Sequence, residues 1–283
     1  MRWIQLNTAK SLTYDPPTRP SGAGTAVVCD VRGGTLETIT PTRDAVDTTL
    51  AANADAGAQT LSLTSATGVA AGRSYLVGGA EESGGEWVTL RALSGTTATL
   101  VRKLQRARAS GVTFVGTRMT FPVTAASTAT PGRNFRVEWT TPTSEVIPVP
   151  FDVTRYAPQS GLTGESIRTL DPQFFRRVSA EEWLPGRVAE AWEMLLRHLS
   201  QGYAPGGFVG LIDLTTAHGY LVRALLAETF GKSDEAMREL EDLRGRYAQE
   251  RDAAMGAMAY DEAQTGAASN RRGYHRTIRL VRG

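Results

Sequence analysis

The stretch that decides the fold of the amino-terminal half is Phe135-Arg136-Val137-Glu138-Trp139, followed by Ile147-Pro148-Val149-Pro150-Phe151-Asp152-Val153. Apolar residues alternate with other residues in both runs, which predicts two strands that each bury one face. Phe135, Val137 and Trp139 are expected to point inward. The two prolines of the second run cannot donate ladder hydrogen bonds, so this run is expected to lie at a sheet edge.

A third alternating run, residues 27–31, lies nearer the amino terminus, and its odd-numbered members share the face that we expect to be buried. The amino-terminal segment and residues 119–157 each supply too few strands for a sandwich of their own. We therefore expect them to pair with each other. The prediction is an immunoglobulin-like β-sandwich built from residues 1–52 and 117–157.

Between these two segments the sequence contains about five short strand-like runs, which are separated by glycines. The runs are Ala58–Leu63, Ser74–Val77, Glu86–Leu90, Thr97–Val101 and Val112–Val115. Short strands at regular spacing are typical of a small barrel or sandwich. Residues 53–116 are therefore predicted to form a second β module, inserted into the first at a point where its two ends lie close together.

The carboxyl-terminal half has the pattern of a linker, residues 158–178, followed by a three-helix bundle, residues 179–265. Residues 179–182 have the spacing of a capping box, and Pro185 suits a first helical turn. The apolar stripe of this first helix is Val188, Trp192, Leu195, Leu196 and Leu199.

Two more helices are expected after a turn at residues 202–207. The second runs roughly from Leu211 to Phe230, and Ser233 caps the third. The apolar residues assigned to the third helix are Leu240, Leu243, Tyr247, Met255 and Met258. The predicted fold class is thus a multidomain α+β protein with two β modules, a helical bundle and an extended basic tail.

Charge is distributed unevenly along the chain, although the net charge is only +2. Residues 1–158 hold 15 basic and 12 acidic residues, residues 159–268 hold 11 and 17, and residues 269–283 hold five basic residues and no acid. A nucleic-acid-binding domain would instead concentrate positive charge on one folded face. The single Cys29 excludes an intramolecular disulfide framework and a multi-cysteine metal site.

The amino terminus lacks the continuous apolar segment of a signal peptide, and charged residues interrupt the most apolar helical stretch. We therefore expect a soluble protein that is not exported and does not enter a membrane. This expectation fits synthesis in a cytoplasm.

Motifs that suggest chemistry are few. Residues 231–233 resemble the end of a phosphate-binding loop, but the glycine required five residues earlier is replaced by Leu226, so we interpret them as a helix cap. The carboxylate pairs at residues 81–82 and 181–182 fit a loop tip and a helix amino terminus. The histidines at 198, 218 and 275 lack metal-ligand spacing. The prediction is a non-enzyme with no catalytic residue, no metal and no cofactor.

Four tryptophans, Trp87, Trp139, Trp183 and Trp192, could act as stacking platforms for sugars or nucleic-acid bases. Their strand and helix spacing favours the hydrophobic core, and that is our expectation.

The extended basic tail, residues 266–283, is the candidate partner-binding segment. A disordered terminus is one interpretation. The other is a segment that becomes ordered on a partner, by adding a strand to an exposed sheet edge or by pairing guanidinium groups with carboxylates. The candidate partner-binding residues are Arg271, Arg272, Tyr274, Arg276, Ile278, Arg279, Leu280 and Arg282.

Parts of the chain resemble structural proteins of tailed bacteriophages. The second β module resembles modules common in those proteins, through the runs Ala56–Leu63, Ala71–Gly78, Glu86–Leu90 and Gly95–Val101. The helical half resembles the bundle of the phage head-to-tail connector, or adaptor, proteins. The residues that carry this second resemblance are Trp192, Leu195, Leu196, Leu199, Ile212–Leu214, Leu225–Ala227, Tyr247 and Tyr260–Glu262.

Connector proteins form a ring beneath the portal, and the resemblance implies that role here. Its implied partners are other copies of the chain, the portal protein and neck or tail proteins, with passive contact to genomic DNA in the ring lumen. The implied location is the head–tail interface of the virion. Two alternatives stay open: a tail, baseplate or receptor-binding structural protein, and a carbohydrate-active enzyme with accessory β domains. The enzyme would show a deep pocket lined by two carboxylates about 5–10 Å apart.

Overall fold

The computed structural model describes residues 3–79, 84–156, 158–179, 182–202, 213–230 and 233–256. Within these ranges the chain is a mixed α+β protein, in which three β-sheets precede five helices. The strands are β1 (Trp3–Gln5), β2 (Lys10–Tyr14), β3 (Thr25–Cys29), β4 (Thr35–Ile39), β5 (Thr42–Arg43), β6 (Asp47–Thr49), β7 (Thr60–Ser62), β8 (Ser74–Val77), β9 (Glu86–Ser94), β10 (Thr97–Leu100), β11 (Thr113–Val115), β12 (Met119–Val123), β13 (Gly132–Thr140) and β14 (Val146–Thr154).

Two of the sheets share one apolar core. The five-stranded sheet has the order β1-β14-β13-β3-β4, and the three-stranded sheet has the order β2-β12-β5. Leu12 of β2 and Phe121 of β12 are buried in the same cluster as the inward face of β13. Trp139 lies near the middle of this cluster, with its ring centroid 5.9 Å from that of Phe121. The amino-terminal strands therefore pair and pack with strands from residues 119–154, as the sequence predicted.

Side-chain direction was predicted correctly for β13 and only in part for β3. Phe135, Val137 and Trp139 are buried, which confirms the predicted face. In β3, Ala26 and Val28 are the residues buried in this core. A bulge between Val28 and Cys29 shifts the register, and residue 31 lies beyond the strand with its side chain exposed. Cys29 is buried, as the alternation predicted. Val27 is only half-buried and residue 31 is exposed, so the predicted face is wrong for these two residues.

The predicted edge position of β14 is also corrected. This strand lies between β13 and β1, so it is not a sheet edge along its whole length. However, β1 pairs only with residues 152–154. Pro148 and Pro150 lie in the preceding part, which pairs with β13 alone, and both are exposed. Within the described ranges, no second strand lies beside these two prolines to accept a hydrogen bond from their backbone nitrogens, which carry no hydrogen.

The third sheet has six strands in the order β6-β11-β8-β9-β10-β7 and encloses a separate core. Each of the five runs predicted between residues 58 and 115 contributes a strand to it. The sixth strand is β6, which pairs with β11 although it precedes the predicted module boundary at residue 53.

The two connections between this module and the two sheets that share one core run side by side. The amide of Asp44 donates to the carbonyl of Arg118 at 2.8 Å, and the amide of Gly116 donates to the carbonyl of Val46 at 3.0 Å. Because β5 also pairs with β12 and β6 with β11, the two connections form a continuous antiparallel ribbon. The ends of the module therefore lie close together at residues 46 and 116.

The helices are α1 (Ile167–Leu170), α2 (Pro172–Phe175), α3 (Leu184–Gly202), α4 (Thr215–Ala227) and α5 (Asp234–Gly256). The predicted stripe of α3 lies in the helical core, where Trp192 is half-buried and the other four residues are buried. Ser233 accepts a hydrogen bond from the amide of Ala236 at 3.2 Å, which confirms the predicted cap of α5. Met258, and residues 203–212 of the predicted turn and second helix, lie outside the described ranges.

The segment expected to be a linker contributes to the helical core. It contains α1 and α2, and Leu162, Ile167, Phe174 and Phe175 are buried in the same cluster as α3, α4 and α5. Glycines and a proline suggested a linker, but the apolar residues between them pack. Trp3 of β1 also belongs to this cluster, so the first strand reaches both the sandwich and the helices.

Candidate functional site

A cavity of about 490 Å³ lies between the outer face of β9 and the amino-terminal end of α3. It is open to solvent and contains two tryptophans, several charged side chains and few aliphatic ones. Its lining residues are Glu86, Trp87, Val88, Thr89, Val101, Arg102, Lys103, Gln105, Glu182, Trp183, Gly186, Arg187 and Glu190. The lining residues of this cavity come both from the six-stranded sheet and from the helical part of the chain.

Strand alternation places Trp87 in this cavity. Val88 and Leu90 of β9 point into the core of the six-stranded sheet and are buried. Trp87 and Thr89 therefore lie on the opposite face, and both are half-buried. The indole of Trp87 is fixed at its base by a strand that has neighbours on both sides.

Gly186 leaves room for Trp183 between the helix and the sheet. A Cβ atom added at Gly186 would stand closer than 3.0 Å to the ring of Trp183, so a larger residue there would displace the indole. On the other side, a Cβ at Gly72 would lie 3.8 Å from Cζ2 of Trp183. The indole thus contacts the first turn of α3 and reaches the turn before β8.

Arg187 fixes the two carboxylates on the helical side of the cavity. Its Nε donates to Glu182 at 2.7 Å, and its Nη1 donates to Glu190 at 2.9 Å. The pKa of Arg187 is raised, chiefly by the hydrogen bond to Glu182. One guanidinium therefore partly neutralises two carboxylates and holds both in place.

The sheet side of the cavity has a carboxylate that is also engaged. Glu86 accepts from the amides of Gln105 at 2.6 Å and Arg106 at 3.3 Å, and it lies 3.5 Å from the guanidinium of Arg108. These bonds hold the segment after β10 against β9. Arg102 and Lys103 belong to the same segment, are exposed, and have no ion pair among the described residues.

The four tryptophans chosen from the sequence divide into two groups. Trp139 is buried in the sandwich, and Trp192 packs against the helical core, as expected. Trp87 and Trp183 line the cavity instead. The spacing of Trp87 in an alternating run indicated this face, since Val88 and Leu90 occupy the other one, but the proximity of Trp183 has no signal in the sequence.

The predicted partner-binding residues of the tail, from Arg271 to Arg282, lie outside the described ranges. Residues 231 and 232 of the phosphate-loop-like run also lie outside them. In the part of the chain that is described, no group of three or more His, Cys, Asp or Glu side chains is placed to bind a metal ion.

His218 is buried and holds the segment before α1 against α4. Its Nε2 lies 2.8 Å from the carbonyl of Val188, and its Nδ1 lies 2.8 Å from the hydroxyl of Ser160. Because a carbonyl only accepts, Nε2 carries the proton and Nδ1 accepts from Ser160. Burial lowers the pKa of His218, so the ring is neutral. The hydroxyl of Ser160 also accepts from the amide of Leu162 at 3.2 Å. The hydrogen bond between His218 and Ser160 therefore stabilises the packing of this segment.

His198 makes a similar contact between α3 and α5. Its Nδ1 lies 2.7 Å from the hydroxyl of Tyr247. Burial lowers the pKa of His198 and raises the pKa of Tyr247. The guanidinium of Arg251 lies 5.5 Å from the centre of the tyrosine ring. The contact between His198 and Tyr247 therefore joins α3 to α5.

A second cavity, of about 280 Å³, lies beside the turn between β3 and β4. It is more apolar than the first and includes Val31 and Leu36, which are 51% and 47% exposed. The other wall is the 3₁₀ turn at Ala126–Thr128.

None of the described helices combines the length and the apolar character needed to cross a lipid bilayer.

Comparison of the chain with protein-family models, with curated proteins and with solved structures finds no match in any of the three.

Proposed function

We propose that this chain is a structural protein of a tailed-bacteriophage virion that forms a ring at the head–tail interface, beneath the portal. The observation that carries the proposal is a charge complementarity within one chain. An exposed acidic face on α5 precedes a carboxyl-terminal segment whose last 15 residues hold five arginines and no acid.

The acidic face consists of Asp234, Glu235 and Glu241, which are exposed and have no ion pair among the described residues. Arg238 is also exposed on this helix and offsets part of the charge. Three other acids of α5 are already paired: Asp242 with Arg246 at 2.9 Å, Asp252 with Arg251 at 2.8 Å, and Glu239 with Arg177. Glu250 is half-buried. The three unpaired carboxylates are therefore the groups open to guanidinium groups from another copy.

A contact between the tail of one copy and α5 of the next joins two different surfaces. Such a head-to-tail contact closes into a ring when the rotation between copies is suitable, and each weak contact is then repeated around the axis. The portal is the second acceptor in this proposal, and phosphates of DNA passing through the lumen are the third. A neck or tail protein would bind the opposite side of the ring.

The proposal includes a finer description of the fold. The two sheets that share one core are proposed to form an immunoglobulin-like sandwich, and the six-stranded sheet a small barrel or sandwich inserted into it. Helices α3, α4 and α5 are proposed to form a three-helix bundle, since their buried residues belong to one cluster. The site of action is the virion, after synthesis in the host cytoplasm.

The ring is tested by native mass spectrometry of the full-length chain, alone and mixed with virion extract. We expect a closed oligomer of one copy number, either free or bound to the portal. A chain that stays monomeric and unbound in both samples contradicts the proposal.

The tail contact is tested with two variants of the full-length chain. Glu241→Arg reverses a charge of the acidic face, and Glu145→Arg, at an exposed turn between β13 and β14, is the matched control. Glu241→Arg and truncation at Ser269 should both reduce assembly at an unchanged melting temperature, while the control assembles normally. Equal assembly of all four chains removes the tail from the proposal. A contact with DNA would show the steeper salt dependence, of roughly one counterion per neutralised phosphate.

The alternative is a tail, baseplate or receptor-binding component, and the cavity with two tryptophans favours it. Labelling of intact virions with an antibody against the chain separates the two. Label at the neck supports the connector, and label at the distal end supports the alternative.

A further inference from the structure

We propose that the cavity between β9 and α3 binds a neutral oligosaccharide, with sugar rings stacked on Trp87 and Trp183. This site is independent of the tail and of ring formation, so it can exist in a connector or in a tail component.

The balance of charge in the cavity favours a neutral ligand. Its lining contains three carboxylates and three cationic side chains, which are Glu86, Glu182, Glu190, Arg102, Lys103 and Arg187. The formal charges of these six side chains sum to zero, which does not favour a strongly acidic or basic ligand. They do supply both acceptors and donors of hydrogen bonds, which is what a ligand with many hydroxyl groups requires.

The two indoles supply the apolar part of such recognition. A sugar ring has a face of C–H bonds and a rim of hydroxyl groups, and an aromatic face packs against the C–H side while polar neighbours bind the rim. Trp87 and Trp183 are half-buried, so each keeps exposed surface at the cavity. Thr89 and Gln105 add uncharged polar groups to the same lining.

The size and the rigidity of the site fit this class of ligand. Its volume of about 490 Å³ falls within the roughly 300–1,000 Å³ of ligand-binding clefts. Trp87 is part of a paired strand, and Trp183 is held against Gly186 at the start of α3. Because the two indoles are already held in position, binding of a ligand costs little side-chain conformational entropy.

The same contacts favour binding without cleavage. A glycosidase needs one carboxyl group to donate a proton and a second carboxylate to attack or to activate water. Here Glu182 and Glu190 share Arg187, and Glu86 accepts from two backbone amides. Each carboxylate of the cavity is thus engaged in a structural bond, and bound sugar should be released intact.

The experiment measures binding of the purified full-length chain to a glycan array and, by tryptophan fluorescence and calorimetry, to maltohexaose, cellohexaose and chitohexaose. We expect saturable binding to at least one neutral glycan. Trp87→Ala and Trp183→Ala should each weaken it at least tenfold, while Trp87→Phe and Trp183→Phe retain most of it. Leu36→Ala, at the second cavity, is the control and should bind as the parent does.

Circular dichroism of each variant establishes that it is folded before binding is compared. If no neutral glycan binds, or if the alanine variants bind as well as the parent, the proposal is wrong. Tighter binding of a polyglutamate peptide than of any sugar would instead identify an acidic-peptide site, since Arg102 and Lys103 have no ion pair in the described part of the chain. Release of new reducing ends would overturn the conclusion that the site only binds.

Discussion

Gly116 lies against the carboxyl group of Asp44, so that a Cβ atom added at position 116 would stand closer than 3.0 Å to three atoms of that group. The side chain of Asp44 is only 4% exposed, is paired with Arg73, and accepts from the amide of Val46 at 3.0 Å. The ribbon that joins the sandwich to the inserted module therefore has no room for a side chain at this point.

We expect Gly116→Ala to lower the free energy of unfolding by about 1–3 kcal/mol, because the added methyl group must displace a buried ion pair. Urea denaturation of the parent and the variant measures the difference. Gly245→Ala is the control for adding a methyl group, since nothing lies within 4 Å of a Cβ at that position. An unchanged midpoint for Gly116→Ala would show that Asp44 can move away without cost.

Gly245 itself leads to a prediction of the opposite sign. It lies in the interior of α5 and is exposed. Glycine in a helix interior is less favourable than alanine by roughly 1 kcal/mol. Gly245→Ala should therefore raise the melting temperature of the chain, as measured by calorimetry. A lower melting temperature would mean that the helix is not formed there in solution.

The stability of the chain should fall as the pH falls below about 6.5. Burial lowers the pKa values of His218 and His198 in the folded chain below the ordinary histidine value of 6.5. The unfolded chain therefore takes up protons first, and stability that is present above pH 6.5 is lost toward the lower folded values. Burial raises the pKa of Asp152 in the folded chain above its ordinary value of 3.8. The folded chain therefore takes up this proton before the unfolded chain does, and the stability contributed by Asp152 rises as the pH falls toward 3.8.

His218→Gln isolates the contribution of this ring. The variant should be less stable than the parent at pH 7.5, because two buried hydrogen bonds are disturbed, but its stability should change less between pH 7 and pH 5. Denaturant midpoints at several pH values give both slopes. Parallel slopes would show that His218 does not titrate in this range.

The inserted module should be removable at boundaries set by the ribbon. Replacing residues 47–115 with a short Gly-Ser link joins Val46 to Gly116, whose backbones are already hydrogen-bonded. The remaining sandwich keeps its own core and should stay soluble, with a β-type circular dichroism spectrum. Cutting at residue 53 instead leaves β6 without β11 and should give a less stable product. Unfolding of the first deletion variant would mean that the two cores depend on each other.

The helical part should fold as a fragment only when the segment before α2 is included. A fragment that begins at Gln159 keeps Leu162 and Ile167, which are buried in the helical core, and the bond from the amide of Leu214 to the carbonyl of Gln159 at 2.9 Å. A fragment that begins at Asp171 lacks all three. We expect the longer fragment to be helical and to unfold cooperatively, and the shorter one to be markedly less stable. Equal stability of the two fragments would show that residues 159–170 contribute nothing to the stability of the helical core.

Local patterns predicted the elements well, because alternation and helical spacing are properties of neighbouring residues. The stripe of α3, the cap at Ser233 and the inward face of β13 are all of this kind. The bulge at Cys29 and the neighbours of β14 depend on pairing between distant strands, which no local pattern contains. That is why the face of β3 was predicted only in part and the edge position of β14 was wrong.

The candidate site shows the same division. The exposed face of β9 follows from the burial of Val88 and Leu90, so the outward direction of Trp87 could be inferred from the sequence. Trp183 lines the same cavity because it lies beside the six-stranded sheet, near Gly72, and this long-range placement has no local signal. The glycines of the segment before α3 suggested a linker. Its apolar residues Phe174 and Phe175 are nevertheless buried in the helical core.

The position of β1 has a consequence for how the chain acquires its structure during synthesis. Trp3 pairs with Asp152 in a parallel register and inserts its side chain among helical residues that are made later still. At roughly 5–20 residues per second on the ribosome, about 7 to 30 seconds pass between the emergence of the first strand and that of its partner. During this interval β1 has no strand to pair with, although Lys10 can already donate to the carbonyl of Trp3. The segment around Trp3 is therefore expected to be among the last parts to take its native position, and it contributes side chains to two cores.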